Sequence, residues 1–215
     1  MPAYRTIILD FDGTLVESVG IKDNAFETLF AEHSDALTRI MDYHRAHNHV
    51  LRFEKFRYIT ETILNRAYTA DDEERLGAAF HDIVVDGLVN CPEVNGARAF
   101  LDRFHGEVPL YLVSKSPDAE FREVVAARGM DRYFAAIYTG DWDKADAIRD
   151  IVQRQDIGAP DAVYIGDTPE DHAAAVAAGV GFIGRDSGRP FPPAMNPLFR
   201  DMDEIHRYLL HREAS

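Results

Sequence analysis

Tyr4-Arg5-Thr6-Ile7-Ile8-Leu9-Asp10-Phe11-Asp12-Gly13-Thr14-Leu15 is the stretch on which the fold of this chain turns. Its first half is a near-continuous β-branched and apolar run, the pattern of a strand buried on both faces of a parallel sheet. Asp12-Gly13 then punctuates a turn. Similar runs follow at Val108 to Val113, Ala135 to Thr139, Ala162 to Ile165 and Val180 to Ile183. Helical segments lie between them. Asp118 to Arg128 follows Ser116-Pro117, read as an N-cap with proline at the first helical position. Lys144 to Gln155 carries Ala147, Ile148, Ile151 and Val152 at helical spacing. Pro169 to Ala178 opens on Thr168-Pro169 and closes on Gly179. Strand and helix in alternation predict an α/β domain with a parallel sheet.

The region from Val16 to about Asn90 breaks that alternation. It has no strand-like run, and its apolar residues fall at helical intervals: Ala25, Leu29 and Phe30, then Phe53, Phe56, Ile59 and Ile63, with Asp71 to Asp86 in the same style. The expected organisation is a discontinuous core of residues 1–16 and 91–215 with an all-helical insertion, residues 17–90. Arg189-Pro190-Phe191-Pro192-Pro193 reads as a surface loop, and Met202 to Leu210 as a closing helix. No internal repeat or low-complexity tract is present.

A chain of 215 residues with 46% hydrophobic content fits one medium domain carrying a smaller insertion. The formal net charge of -14 argues against nucleic acid and anionic membrane as partners. Local positive charge can still draw in a small anion, because salt screens the distant field. Lysine occurs only at positions 22, 55, 115 and 144. No apolar run approaches the roughly 20 residues that span a bilayer, and the N-terminus enters its first strand too soon for a signal peptide. The single cysteine, Cys91, excludes an intramolecular disulfide and reads as a small buried or loop residue. The expected location is the cytoplasm. His33, His44, His47 and His49 are irregularly spaced in a polar stretch, so they are expected to be exposed or loosely packed rather than metal ligands.

Four polar positions fall near the C-terminal ends of the predicted strands, where open α/β sheets bind their ligands. Asp10 and Asp12 put two carboxylates side by side. Close like charges raise each other's pKa, so a divalent cation is their natural partner. Hard oxygen ligands of this kind fit Mg²⁺, which keeps several waters and also takes phosphate oxygens. Ser114 closes the second strand, where its hydroxyl either forms the turn or, with the N–H groups of that turn, holds a phosphate oxygen. Lys115 beside it either adds charge or points to solvent. Lys144 opens a helix, against the macrodipole. It is either a surface lysine or the partner of carboxylates or a bound phosphate. Gly166-Asp167-Thr168-Pro169-Glu170-Asp171 brings another carboxylate to a strand tip. Asp171 in the first helical turn either complements the dipole or joins the site.

Asp10-x-Asp12-Gly-Thr, Ser114, Lys144 and Gly166-Asp167-x-x-x-Asp171, in that order over essentially the whole chain, resemble the haloacid dehalogenase superfamily. The helical segment after the first motif is similar to the cap of its phosphoglycolate phosphatase-like and β-phosphoglucomutase-like branches. The resemblance implies a Rossmann-like core and a Mg²⁺-dependent phosphatase of small phosphorylated metabolites; whether the chain acts as a monomer or homodimer is left open by the sequence. Asp10 would then be the nucleophile that forms an aspartyl-phosphate, and Asp12 the general acid and base. Asp10, the Asp12 carbonyl, Asp167 and Asp171 would serve the metal. Ser114, Lys115 and Lys144 would bind the phosphoryl group, and Lys22 at the start of the cap is a candidate substrate contact. Where many members read Lys-Pro-x-Pro, this chain reads Lys144-Ala145-Asp146-Ala147. A dehalogenase has no need of Asp12. A phosphomutase and a non-catalytic phospho-ligand module are the remaining alternatives.

Overall fold

A computed structural model describes residues 3–47, 50–191 and 197–213. The chain divides into two compact units, Met1–Val19 with Cys91–Ser215, and Gly20–Asn90. After β1 (Thr6–Leu9) come the helices of the second unit: α1 (Ile21–Leu29), α2 (Leu37–Ala46), α3 (Arg52–Tyr58), a π-helical turn at Ile59–Ile63, and α4 (Ala70–Asn90). The first unit resumes with α5 (Ala97–Phe104), β2 (Leu110–Val113), α6 (Asp118–Ala127), β3 (Ala136–Tyr138) and α7 (Lys144–Arg154). It ends with β4 (Ala162–Gly166), α8 (Pro169–Ala178), β5 (Gly181–Arg185), β6 (Leu198–Phe199) and α9 (Met202–Glu213). Among the described residues no helix is long and apolar enough to cross a membrane.

The strands form one parallel sheet in the order β3-β2-β1-β4-β5-β6. Every residue of β1, β2 and β4 is buried, which their unbroken apolar runs require. On one face, Ile8, Tyr111 and Tyr164 pack with Ile148 and Ile151 of α7 and Ala175 of α8. β1 is central, pairing Ile7 with Leu110 on one side and with Val163 on the other. Chain order therefore reverses between β1 and β4, and this doubly wound order puts the ligand crevice at their carboxyl ends.

Several local expectations change. β2 begins at Leu110 and not at Val108, because Pro109 has no N–H for the ladder. β5 runs on to Arg185, since Gly184 and Arg185 pair with Leu198 and Phe199 of the unanticipated β6. Pro117 is itself the N-cap of α6 and not its first residue; Ser116 uses its N–H on the Ser114 hydroxyl, at 3.1 Å. The amphipathic α5, burying Phe100, Leu101 and Phe104, was also unanticipated.

In the second unit the helices bury Phe26, Phe30, Phe56 and Phe80, with the Phe26 and Phe56 centroids 5.4 Å apart. His44 corrects the expectation of exposed histidines. It is buried, stacks on Phe26 at 3.9 Å, and places Nε2 3.1 Å from Asp23 Oδ1. Lys55 Nζ lies 3.3 Å from His44 Nδ1. Burial pushes both His44 and Lys55 below their ordinary pKa values. His33 and His47 are part-exposed, whereas His49, Pro192 and Pro193 lie outside the described residues.

The start of α4 is held by Asp72, which accepts from Thr69 Oγ1 at 2.9 Å, Arg66 at 3.0 Å and Arg75 at 3.3 Å. The Thr69 hydroxyl, with the two arginines, holds the Asp72 carboxyl at about 2. An unfolded aspartate titrates near ~3.9, so the folded value is depressed. The stabilisation is then complete above that unfolded value and is lost as pH falls toward 2. Asp72→Asn is accordingly expected to lower the urea midpoint clearly at about pH 6, with the gap to wild type narrowing toward about pH 3.

Candidate active site

Asp10 follows the last residue of β1, and its N–H donates to Ile165 O at 2.9 Å, so the carboxylate is fixed where β1 and β4 part. The chain then turns back on itself, with Leu15 N–H on Phe11 O at 2.9 Å and Gly13 N–H on Val16 O at 2.9 Å. Gly13 has φ +77°, and a Cβ there would stand 2.2 Å from Asp167 Oδ2. Only glycine fits both the backbone and the space. Arg185, buried in β5, donates to Gly13 O at 2.9 Å and pairs with Glu17, which pins the loop. The Ser18 hydroxyl donates to Asp12 Oδ1 at 2.6 Å.

Lys144 is positioned by Asp143, whose carboxylate caps α7 by accepting from Ala145 N at 2.9 Å and Asp146 N at 3.3 Å. The helix thus starts without the proline found in many related motifs. Lys144 Nζ donates to Asp10 Oδ1 at 2.7 Å and to Asp171 Oδ1 at 2.5 Å. These two carboxylates outweigh the unfavourable dipole at that helix end.

Asp171 belongs to a capping box on α8. Its Oδ2 accepts from Thr168 N at 3.0 Å and from Thr168 Oγ1 at 2.6 Å. Its Oδ1 also accepts from the buried Tyr164 hydroxyl at 2.7 Å. Asp167 sits at the tip of β4, fully buried; Oδ2 accepts from Arg189 at 3.2 Å. Oδ1 of Asp167 has no partner within hydrogen-bond distance, although the Ser187 hydroxyl is near enough to the carboxylate to oppose the rise in its pKa.

Burial dominates the electrostatics of this cluster. It raises Asp10 well above the usual carboxylate range, and Asp171 and Asp167 push the same way against Lys144. Burial also raises Asp167 to about 6. Burial acts against the charge on Lys144 too, yet Asp10 and Asp171 together hold its pKa above the ordinary lysine value. Asp171 stays below the usual range despite its burial, because it accepts from Lys144, Thr168 and Tyr164 together. Of the two carboxylates that share Lys144, Asp171 is the one that Thr168 and Tyr164 also hold.

Ligand oxygens of Asp10, Asp167 and Asp171 lie within 4.8 Å of one another. A hard divalent cation fits this set. Asp167 Oδ1, buried and unpartnered, is a polar atom that a metal would satisfy, and carboxylate oxygens are the donors Mg²⁺ takes. Both Asp171 oxygens are already engaged by the protein, so Asp10 and Asp167 are the better donors.

The remaining expected residues are placed differently from one another. The Asp12 side chain is part-exposed and is not in the acidic cluster. Ser114 is buried at the end of β2, its N–H on Tyr138 O at 2.9 Å. Lys115 is exposed and donates to Trp142 O at 2.9 Å, bracing the loop that leads to Lys144. Lys22 is exposed at the start of α1 in the other unit. Sequence reasoning missed Ser18, Tyr164, Asp143, Arg185 and Arg189. An aspartate just ahead of an amphipathic run is a legible cap signal for Asp143. Arg185 and Arg189 carry none, since their partners are distant in sequence, and Ser18 and Tyr164, six and seven residues from theirs, meet them only through the fold of the loop and of the strand tip.

The family profile for haloacid dehalogenase-like hydrolases matches residues 7–185. No curated protein gave a sequence match. Among solved structures, a Thermotoga maritima protein provisionally named a beta-phosphoglucomutase superposes with TM-score 0.75 at 18% identity, covering 96% of this chain and 99% of that one. A predicted phosphoglycolate phosphatase of Haemophilus somnus gives 0.74 at 17% identity, covering 97% and 99%. The Bacillus subtilis protein YfnB, provisionally a hydrolase of the same superfamily and solved bound to magnesium, gives 0.73 at 17% identity, covering 96% and 99%. Identities this low establish a shared fold. The family match spans most of the sequence, and the chain belongs to the haloacid dehalogenase-like hydrolases.

Proposed function

We propose that this hydrolase is a Mg²⁺-dependent phosphatase of small phosphate monoesters, with Asp10 as nucleophile. The observation that carries the reading is Lys144 Nζ bridging Asp10 and Asp171 beside the unpartnered Asp167 Oδ1, at the switch point of the sheet. A phosphoryl group entering there meets a carboxylate nucleophile, a fixed ammonium and donors for a metal. Asp10 and Asp167, with the Asp12 carbonyl, would hold Mg²⁺, and Asp171 would act from behind through Lys144. The ion supplies positive charge to the phosphoryl oxygens and to Asp10 as charge redistributes during transfer.

The chain's own groups perform the steps. Lys144 engages Asp10 Oδ1, so attack on phosphorus is assigned to Oδ2. The Oδ2–P bond forms as the ester P–O bond breaks, and Asp12 gives its proton to the departing alkoxide. Asp12, now a carboxylate, takes a proton from water. The water oxygen bonds to phosphorus, the Oδ2–P bond breaks, and phosphate leaves with Asp10 restored. Ser18, at 2.6 Å from Asp12 Oδ1, orients that acid. Ser114, at the tip of β2, is assigned to the phosphoryl oxygens along with Lys144. We place the protein in the cytoplasm, acting on a small phosphorylated metabolite.

The test is hydrolysis of p-nitrophenyl phosphate and of a metabolite-phosphate panel, with Mg²⁺ and after EDTA. Turnover is expected with Mg²⁺ and its loss with EDTA, restored by excess Mg²⁺. Isomerisation of a sugar phosphate without net phosphate release identifies a mutase instead. No turnover on any substrate leaves a binding protein.

A further inference from the structure

The two oxygens of Asp167 face unlike surroundings. Oδ2 is enclosed: Arg189 Nη1 donates to it at 3.2 Å, and the Gly13 backbone lies so close that a Cβ there would stand 2.2 Å away. Oδ1 is buried and unpartnered. One oxygen is therefore offered to a cation, and the other is withheld by a guanidinium on one side and main chain on the other.

We propose that Arg189 selects the cation: by holding Asp167 Oδ2 it limits Asp167 to one metal ligand and so favours Mg²⁺ over Ca²⁺. This rests on the metal reading of the preceding subsection. Mg²⁺ demands near-octahedral geometry and usually keeps several waters, taking one oxygen from each carboxylate. Ca²⁺ takes about six to eight oxygens at longer distance and commonly uses both oxygens of a carboxylate. To bind Ca²⁺ that way, Asp167 must give up Arg189. It must also turn Oδ2 away from its contact with Gly13, and the released guanidinium then faces a dication. Mg²⁺ at Oδ1 requires neither change.

Arg189 comes from the loop after β5, and its side chain is 39% exposed, so its removal opens no core. Losing its charge strengthens the binding of every divalent cation through Coulomb attraction. The ratio of the two affinities cancels that common part and isolates the geometric one.

The experiment measures the thermal upshift of the metal-free protein as Mg²⁺ or Ca²⁺ is added, at fixed pH and ionic strength, and converts each curve to a Kd. It compares wild type with Arg189→Met and Arg189→Lys. The expected result is a fall of roughly tenfold in Kd(Ca)/Kd(Mg) for Arg189→Met, with Arg189→Lys within about twofold of wild type. A lysine keeps one donor for Oδ2. An unchanged ratio in Arg189→Met overturns the selection role while leaving the metal site intact. Failure of wild type to bind either ion overturns the metal reading and this inference with it.

Discussion

Asp10→Asn is expected to abolish turnover and to leave the metal-free protein at least as stable as the wild type. The amide is isosteric with the carboxylate but cannot form an acyl phosphate, so the covalent route is closed. Removing a nucleophile of this kind costs about 10⁴-fold or more in kcat. The stability arm follows from burial. Asp10 is a buried carboxyl whose pKa is raised by desolvation first and by Asp171 and Asp167 second. Its charge is therefore a burden in the folded state, and a neutral replacement relieves it. Lys144 keeps Asp171 as its partner, so it is not stranded. Steady-state kinetics on p-nitrophenyl phosphate and a melting curve in EDTA together test the claim. Retained turnover removes Asp10 from the nucleophile's role, whereas a large drop in melting temperature contradicts the electrostatic account.

Lys144→Met is the opposite case, with both arms falling together. Its ammonium is the shared partner of Asp10 and Asp171, and the side chain is only 13% exposed. Breaking a buried pair by deleting one member costs about 3–5 kcal/mol, because the other charge is left without compensation. Here two carboxylates are left, and they repel each other. Both would then have folded pKa values above the unfolded one, so the unfavourable term grows as pH rises. The loss in urea stability should be greatest near neutral pH and shrink toward about pH 4. Turnover should fall about 10²–10³-fold, the scale for losing one fixed donor to a developing anion. A variant of unchanged stability at neutral pH would place Lys144 outside the charge cluster.

The parts legible in sequence are those with short-range causes. The run Thr6 to Leu9 is apolar because both faces of β1 are covered, and the next residue, Asp10, must then emerge at the tip. Thr168-Pro169 and Gly179 mark α8 because caps are local hydrogen-bonding problems, and the helix spans Pro169–Ala178 as expected. Two-residue β6 shows no period, and it exists only because Gly184 and Arg185 offer it a ladder. His44 looked solvent-exposed from its polar neighbours, but Asp23 and Lys55, 21 and 11 residues away, satisfy it inside the helices. Arg189 was invisible for the same reason, since its partner, 22 residues away, becomes a neighbour only in the folded crevice.

The central position of β1 has a consequence during synthesis. Of the six strands of this sheet β1 is translated first, and both of its neighbours, β2 and β4, come later in the chain. At about 5–20 residues per second, β2 follows it by roughly 5–20 seconds and β4 later still. For that interval an apolar segment with two bare edges has no native partner, a state prone to intermolecular pairing. Residues 20–90, a continuous stretch with its own aromatic core, emerge meanwhile and can fold in the gap. Asp10 is thus translated well before Lys144, Asp167 and Asp171, and meets them only once β4 and α8 have emerged. Nascent chains stalled before β4 lack Asp167 and Asp171 and are therefore inert as catalysts, with one edge of β1 still open to intermolecular pairing.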